Sequence, residues 1–358
     1  MEPLRYNGCP LHVGEQGCNG PADDRFQGYP YLSVWYDELA DMRTIGIQAD
    51  WFIKHDGGSK ISHLKFAWLE LTGKCQLECV HCYADSGPKG QHSPMSIAEW
   101  CRIIDEIVAL GAKQVQFIGG EPTLHPALPE LVGHALESAI EVEVFSNLVH
   151  VTPALWELFT QPGVRLACSY YSDSTQQHAA ITGRAGSHAR TKANIAEAVR
   201  RNVPLRAGVI DLADDQRSAQ AVAELTELGI PDIGVDTLRQ VGRGVSDTAA
   251  SMDQLCGKCG NGSIAIGPNG EVWPCVFSRW LPVGNVREAN LAAILASPTM
   301  ADAQKKLDEN FASRPATRAC LPETMCDPQC GPSCSPACRP AGNCTPVGAC
   351  APDYFRRP

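Results

Sequence analysis

The chain has 358 residues, enough to bury a full core and to hold two domains. Its 30 Lys and Arg stand against 40 Asp and Glu, a net charge of −10, which argues against nucleic acid as the main partner because phosphate binding needs a basic surface. No apolar run approaches the ~20 residues that span a bilayer, and the polar start Met1-Glu2-Pro3-Leu4-Arg5-Tyr6 is no secretory leader.

A cytoplasmic protein without a membrane partner is therefore expected. Its 17 cysteines then point to metal or cluster ligation rather than to disulfides. They are unevenly spread. Between Cys82 and Cys256 only Cys101 and Cys168 occur, both in apolar settings that suit a small buried hydrophobe.

In chain order, residues 1–62 come first, a Gly-rich and aromatic segment. Cys9 and Cys18 flank a glycine-rich stretch, followed by the runs 29–36 and 49–53. A small hairpin covering an edge of the fold and a peptide-recognition module are the two readings of this segment.

Strands are then expected at 65–71, 114–118, 141–145, 165–170, 204–210 and 232–236. Helices are expected at 96–110, 127–138, 153–160, 190–201 and 215–228. The stripe Ile97, Trp100, Ile103, Ile104, Ile107 and Val108 has clear helical spacing. Asp214 and Asp215 offer cap oxygens for the last helix. Six strands alternating with helices predict an α/β fold with a parallel sheet and ligands at the C-terminal strand ends.

Just past the first strand lie Cys75, Cys79 and Cys82, a Cys-x3-Cys-x2-Cys triplet. Three thiolates are one too few for a closed four-cysteine iron–sulfur site, so one iron is left for a substrate or cofactor. A partial zinc site is the competing reading of the triplet alone. After the second strand comes Gly119-Gly120-Glu121-Pro122. Its glycines allow close backbone approach, and Glu121 is an acceptor for an ammonium group.

With these two motifs the chain resembles the radical S-adenosylmethionine (radical SAM) superfamily. The resemblance implies a partial (β/α)6 barrel over about 63–245. It also implies a [4Fe-4S] cluster on the triplet, with SAM chelated by the open iron, and reductive cleavage to a 5′-deoxyadenosyl radical that abstracts hydrogen. Position by position it sets Gly119, Gly120, Glu121 and Pro122 at the SAM amino group, and Ser146 and Asn147 near the ribose. Ser169 matches the next strand end, where Tyr171 replaces an expected aspartate. Arg190, favoured over Arg184, would pair with the SAM carboxylate, and the backbone of Tyr83 would meet the adenine.

Beyond residue 246 the cysteines crowd. Cys259 to Cys275 reads as a β-hairpin turning at Pro268-Asn269-Gly270, which would bring its two end cysteines together. This part, 246–358, resembles the SPASM extension of radical SAM enzymes that mature peptides. That resemblance implies two auxiliary [4Fe-4S] clusters. Cys320, Cys326 and Cys330 match its later spacing, whereas Thr317 stands where a cysteine is expected. Cys259, Cys275 and Cys330, completed by Cys256, are assigned to one cluster. Cys320 and Cys326 with a member of Cys334, Cys338, Cys344 and Cys350 are assigned to the other. The Pro- and Gly-rich tail cannot build its own core, and a zinc knuckle there is the competing account.

The expected function is modification, by cross-linking, of a residue in a ribosomally made peptide. A precursor peptide is the expected partner, with an electron donor such as a flavodoxin or ferredoxin. The alternatives are a radical enzyme acting on a small molecule such as a sugar or amino acid, and a non-catalytic metal-binding scaffold. No catalytic base stands out. His178, His188, Asp236 and Glu271 are the candidates.

Overall fold

The computed structural model describes residues 64–245 and 250–312. Segment 1–62, with Cys9 and Cys18, and the cysteines from Cys320 to Cys350 lie outside the described residues.

Strand β1 (Phe66–Glu70) is buried along its whole length, as a strand covered on both faces must be. The chain then runs through α1 (Ile97–Ala109), β2 (Gln114–Ile118), α2 (Leu128–Glu137), β3 (Glu141–Phe145), α3 (Pro153–Phe159) and β4 (Val164–Tyr170). It continues through α4 (Thr175–Thr182), α5 (Ser187–Arg200), β5 (Leu205–Asp211), α6 (Ser218–Glu227) and β6 (Asp232–Thr237). The first helix starts where its sequence dictates: the Ser96 hydroxyl accepts from Glu99 N, and Glu99 Oε2 accepts from Ser96 N at 2.7 Å. Its stripe of Trp100, Ile103, Ile104 and Ile107 is fully buried.

The six strands are parallel, each beside its predecessor, in the order β6-β5-β4-β3-β2-β1. Past β1 the sheet continues. Strand β7 (Ser263–Ile266) pairs parallel with β1, and β8 (Glu271–Trp273) and β9 (Gly284–Asn285) follow antiparallel. Leu69 thus lies between Phe117 of β2 and Ile266 of β7. Among the described residues the sheet is open, with nine strands, and its first six make the expected partial barrel. The predicted hairpin is β7 and β8, and its glycine Gly270 sits at φ +91°. Helices α7 (Leu291–Leu295) and α8 (Pro298–Ala312) follow.

Alternation along the strands separates two apolar layers. Ala67, Leu69 and Leu71 join the large core under the helices, with Phe117, Leu131 and Val144. Phe66 and Trp68 pack on the other face with Ile118, Trp273, Cys275 and Phe277. That second core also holds a buried charge. Glu143, with no exposed surface, receives Arg206 Nε at 2.8 Å and Arg206 Nη2 at 2.7 Å, a bidentate pairing.

Two sequence expectations change. Asp214 and Asp215 do not cap α6, which begins later, behind Arg217, without a side-chain cap. Helix α4 was not expected, because Thr-Gln-Gln-His-Ala-Ala-Ile-Thr has no apolar stripe. Its ends are specified instead by Ser174, whose hydroxyl accepts from Gln177 N, and by left-handed Gly183.

Candidate active site

The loop after β1 carries the three cysteines, and it is held by backbone from the end of α4 and from the loop after β6. Glu78 N donates to Thr182 O and Val80 N to Ile181 O, each at 3.0 Å, while Arg243 N donates to Cys82 O at 3.0 Å. Close contact requires glycine on both sides. A Cβ on Gly183 (φ +67°) would lie 2.8 Å from Glu78 O, and one on Gly242 (φ +60°) would overlap the carbonyls of Cys82 and Tyr83.

Side chains complete the clasp. Arg184 Nη1 donates to Gln76 O at 2.9 Å. The Arg243 guanidinium donates to Cys79 O at 2.9 Å, Ser86 O at 2.6 Å and Asp85 Oδ1 at 2.9 Å.

The Gly-Gly-Glu-Pro segment docks against the same loop. Gly120 N donates to Thr72 O at 2.6 Å and Glu121 N to Lys74 O at 2.9 Å. A Cβ on Gly119 (φ +134°) or Gly120 would run into those same backbone carbonyls. The two glycines therefore permit contact between two loops, as well as lining the cavity.

Glu121 is fully buried. Its carboxylate accepts from Ser146 Oγ at 2.8 Å, Thr123 Oγ1 at 2.7 Å, Thr123 N at 3.2 Å and Asn147 N at 2.8 Å. Burial pushes its pKa up and these bonds oppose the rise. The carboxylate ties the end of β2 to the end of β3.

A cleft of about 130 Å³ opens at the C-terminal ends of the strands. Cys75, Cys79, Cys82, Tyr83, Gly119, Gly120, Asn147 and Ser169 line it, as do Tyr171, Asp236, Arg239 and Phe277. Glu121, Pro122, Ser146 and Arg190 are not among its lining residues. Arg190 projects from the exposed face of α5. The cationic side chains at the cleft are Arg239 and Arg243, which the sequence reading missed. Arg239 is buried, pairs with Asp236 at 3.3 Å, and lies 5.2 Å from the Phe277 ring centre. A signal for Arg243 did exist in Gly242-Arg243-Gly244, two glycines around an arginine past a strand end.

Of the four base candidates, only Asp236 reaches the cleft. His178 and His188 lie behind Tyr171 and Tyr170. His188 Nε2 is 3.1 Å from Glu224, and burial lowers the His178 pKa to about 4. Glu271 belongs to β8.

Among the described residues, no three His, Cys, Asp or Glu side chains gather tightly enough for one metal ion. The triplet suits a cluster, in which each thiolate bonds a different iron. Leu77 N and Ser86 N already point at the Cys75 and Cys82 sulfurs, each at 3.4 Å. Burial drives the Cys75 thiol well up and that of Cys79 to about 12. Bound iron would supply the positive charge that makes them thiolates. The residues fit the group.

A second sulfur group lies at the hairpin. The buried Cys259 thiol hydrogen-bonds with those of Cys256 and Cys275, and these bonds together with burial raise its pKa well above the ordinary value. Phe277 N donates to Cys275 Sγ at 3.5 Å. The Phe277 ring stands 5.3 Å from that of Tyr83, so one pair of rings separates the two cysteine groups.

The family model of the radical SAM superfamily matches residues 69–238, and that of an iron–sulfur cluster-binding domain, SPASM, matches 256–331. Residues 69–238 thus carry a radical SAM domain, followed by a SPASM domain. With the family come a [4Fe-4S] cluster and S-adenosylmethionine, and the second model adds an auxiliary iron–sulfur domain.

Among curated relatives, the chain is similar to a PqqA peptide cyclase of Ruegeria pomeroyi, 29% identical over 44% of this chain and 43% of the relative. It is also similar to the sporulation killing factor maturation protein SkfB of Bacillus subtilis, 25% identical over 57% of this chain and 47% of that one. The chain spans about half the length of the curated relatives it matches. In fold it resembles SuiB of Streptococcus suis, solved with its precursor peptide SuiA. The TM-score is 0.58 at 14% identity, over 71% of this chain and 67% of that one. Among the described residues no helix is long and apolar enough to cross a membrane.

Proposed function

We propose that this protein modifies, by cross-linking, a residue of a ribosomally made peptide. The observation that carries the reading is the pairing of the three-cysteine cleft with a second buried sulfur group behind Phe277. Two of the relatives, a peptide cyclase and a peptide maturation protein, agree with it.

In this reading Cys75, Cys79 and Cys82 hold the cluster, and bound SAM supplies a 5′-deoxyadenosyl radical that removes hydrogen from the substrate. The chain's own residues orient and enclose. Gly119, Gly120, Asn147, Ser169 and the Tyr83 backbone form the SAM wall. Arg243 and Arg184 fix the cysteine loop. Tyr171 and Phe277 close the sides against water. Glu121 and Ser146 act one step back, by setting Asn147. Asp236 is the carboxylate placed to accept a proton when a bond forms.

Cys256, Cys259 and Cys275, with Cys330, make the first auxiliary cluster. Cys320 and Cys326 with one cysteine of 334–350 make the second. The division between core and auxiliary domain falls near residue 245. An electron donor of the flavodoxin or ferredoxin kind supplies reducing equivalents.

The test is co-expression with small peptides encoded beside the gene, read by mass spectrometry. A loss of two hydrogens supports the reading. A peptide unchanged while SAM turns over removes it and favours the small-molecule alternative, to which Thr317 in place of a cysteine belongs.

A further inference from the structure

We propose that Asn147 donates a hydrogen bond to the Cys75 sulfur and so raises the reduction potential of the cluster held by Cys75, Cys79 and Cys82. The inference rests on the reading above, in which that cluster is present.

Asn147 Nδ2 stands 3.6 Å from Cys75 Sγ. Amide nitrogen and oxygen are told apart by their partners, and here the partners decide. Val149 N, a donor only, lies 2.9 Å from Asn147 Oδ1. The oxygen is thereby fixed toward Val149, and the NH2 group is left facing the sulfur and Gln76 Oε1.

The rest of Asn147 is equally pinned. Its N–H donates to Glu121 Oε2 at 2.8 Å, and its carbonyl accepts from Thr191 Oγ1 at 2.9 Å. Three separate elements thus aim one side-chain amide at one thiol, and Asn147 lines the cleft at that point. With the bond from Leu77 N, Cys75 receives two N–H groups.

A one-electron reduction adds negative charge that is shared by the sulfur ligands. Donors at a ligand sulfur stabilise the reduced form more than the oxidised form, which raises the potential. Glu121 and Ser146 gain a role in the same account, as the groups that orient the donor.

The experiment is a dithionite titration followed by EPR, on anaerobically reconstituted full-length protein without SAM, reading the signal that is absent from Cys75→Ala/Cys79→Ala/Cys82→Ala. Asn147→Ser removes the donor without adding charge, and its hydroxyl can still accept from Val149 N in the local turn. The expected result is a lower midpoint potential, seen as a several-fold smaller reduced fraction at a fixed solution potential, with iron content unchanged. Asn147→Asp should lower it further, because a carboxylate replaces the donor. An unchanged midpoint in Asn147→Ser with the cluster intact overturns the inference.

Should neither variant hold its cluster, wild-type protein labelled with side-chain ¹⁵N-asparagine decides. A ¹⁵N coupling to the reduced cluster is expected, and its absence counts against the bond. If wild-type protein builds no SAM-responsive cluster, the functional reading has failed instead.

Discussion

Arg243 reaches from the loop after β6 to the carbonyl of Cys79, donating from Nε at 2.9 Å. Its two other nitrogens hold Ser86 O and Asp85. One side chain thus spans the cysteine loop from its middle to its end. Arg243→Ala leaves the Cys79 and Ser86 carbonyls without this donor. It is expected to lower stability by about 2 kcal/mol, the scale of a bond to a charged group, and to reduce the iron retained after reconstitution. Arg243→Lys, with a point charge in place of a planar fork, should recover only part of either. Urea unfolding and iron analysis check both.

Two glycines separate a required backbone from an incidental one. Gly119→Ala places a Cβ against the Thr72 carbonyl at a φ of +134°, and a loss of roughly 2–4 kcal/mol is expected from strain and displaced loops. Gly133→Ala, inside α2 with nothing within 4 Å of its Cβ, should gain about 0.5–1 kcal/mol. The pair can be read in one series of denaturant melts.

Arg279 joins the auxiliary segment to the strand before the cysteine loop. Its Nη1 donates to both Glu70 oxygens, at 2.6 and 2.8 Å, and Glu70 is 1% exposed. Arg279→Met strands a buried carboxylate and should cost about 3–5 kcal/mol. Adding Glu70→Leu should restore most of that loss, because the penalty comes from the unpaired charge. A double-mutant cycle measures the coupling.

His178 predicts a pH dependence. Burial lowers its pKa from 6.5 to about 4, with a further push from His188 and an opposing pull from Glu224. The unfolded chain therefore binds a proton between those values that the folded chain does not. The contribution of His178 is full above pH 6.5 and declines as pH falls toward 4, by up to about 1.4 kcal/mol per unit. His178→Gln should flatten that part of the stability profile. An unaltered slope would show that the imidazole titrates normally in the fold.

The sequence carried the sheet well and the site unevenly. Six strands and five helices were legible because burial on one face or two writes a period into the residues, as in Trp100, Ile103, Ile104 and Ile107. Helix α4 was not, because its eight residues hold no such period and its specification is local. The cysteine triplet and Gly119-Gly120 could be placed because each is a contiguous motif beside a strand end. Arg239 and Arg243 could not, because their contacts with Phe277 and Cys79 join segments far apart in the chain. Which face of α5 carries Arg190, the exposed one, was likewise not legible from its position in a pattern. Glu121 was placed at the right loop, but its role depends on Ser146 and Asn147, partners that only the folded chain brings to it.

The Cys75, Cys79 and Cys82 cleft is expected to cleave SAM. The direct measurement is 5′-deoxyadenosine formed when anaerobically reconstituted, dithionite-reduced protein is incubated with SAM. The account predicts product from the wild-type chain and none from Cys75→Ala/Cys79→Ala/Cys82→Ala. Wild-type protein that holds its iron yet forms no 5′-deoxyadenosine, or a triple variant that forms as much, would contradict it.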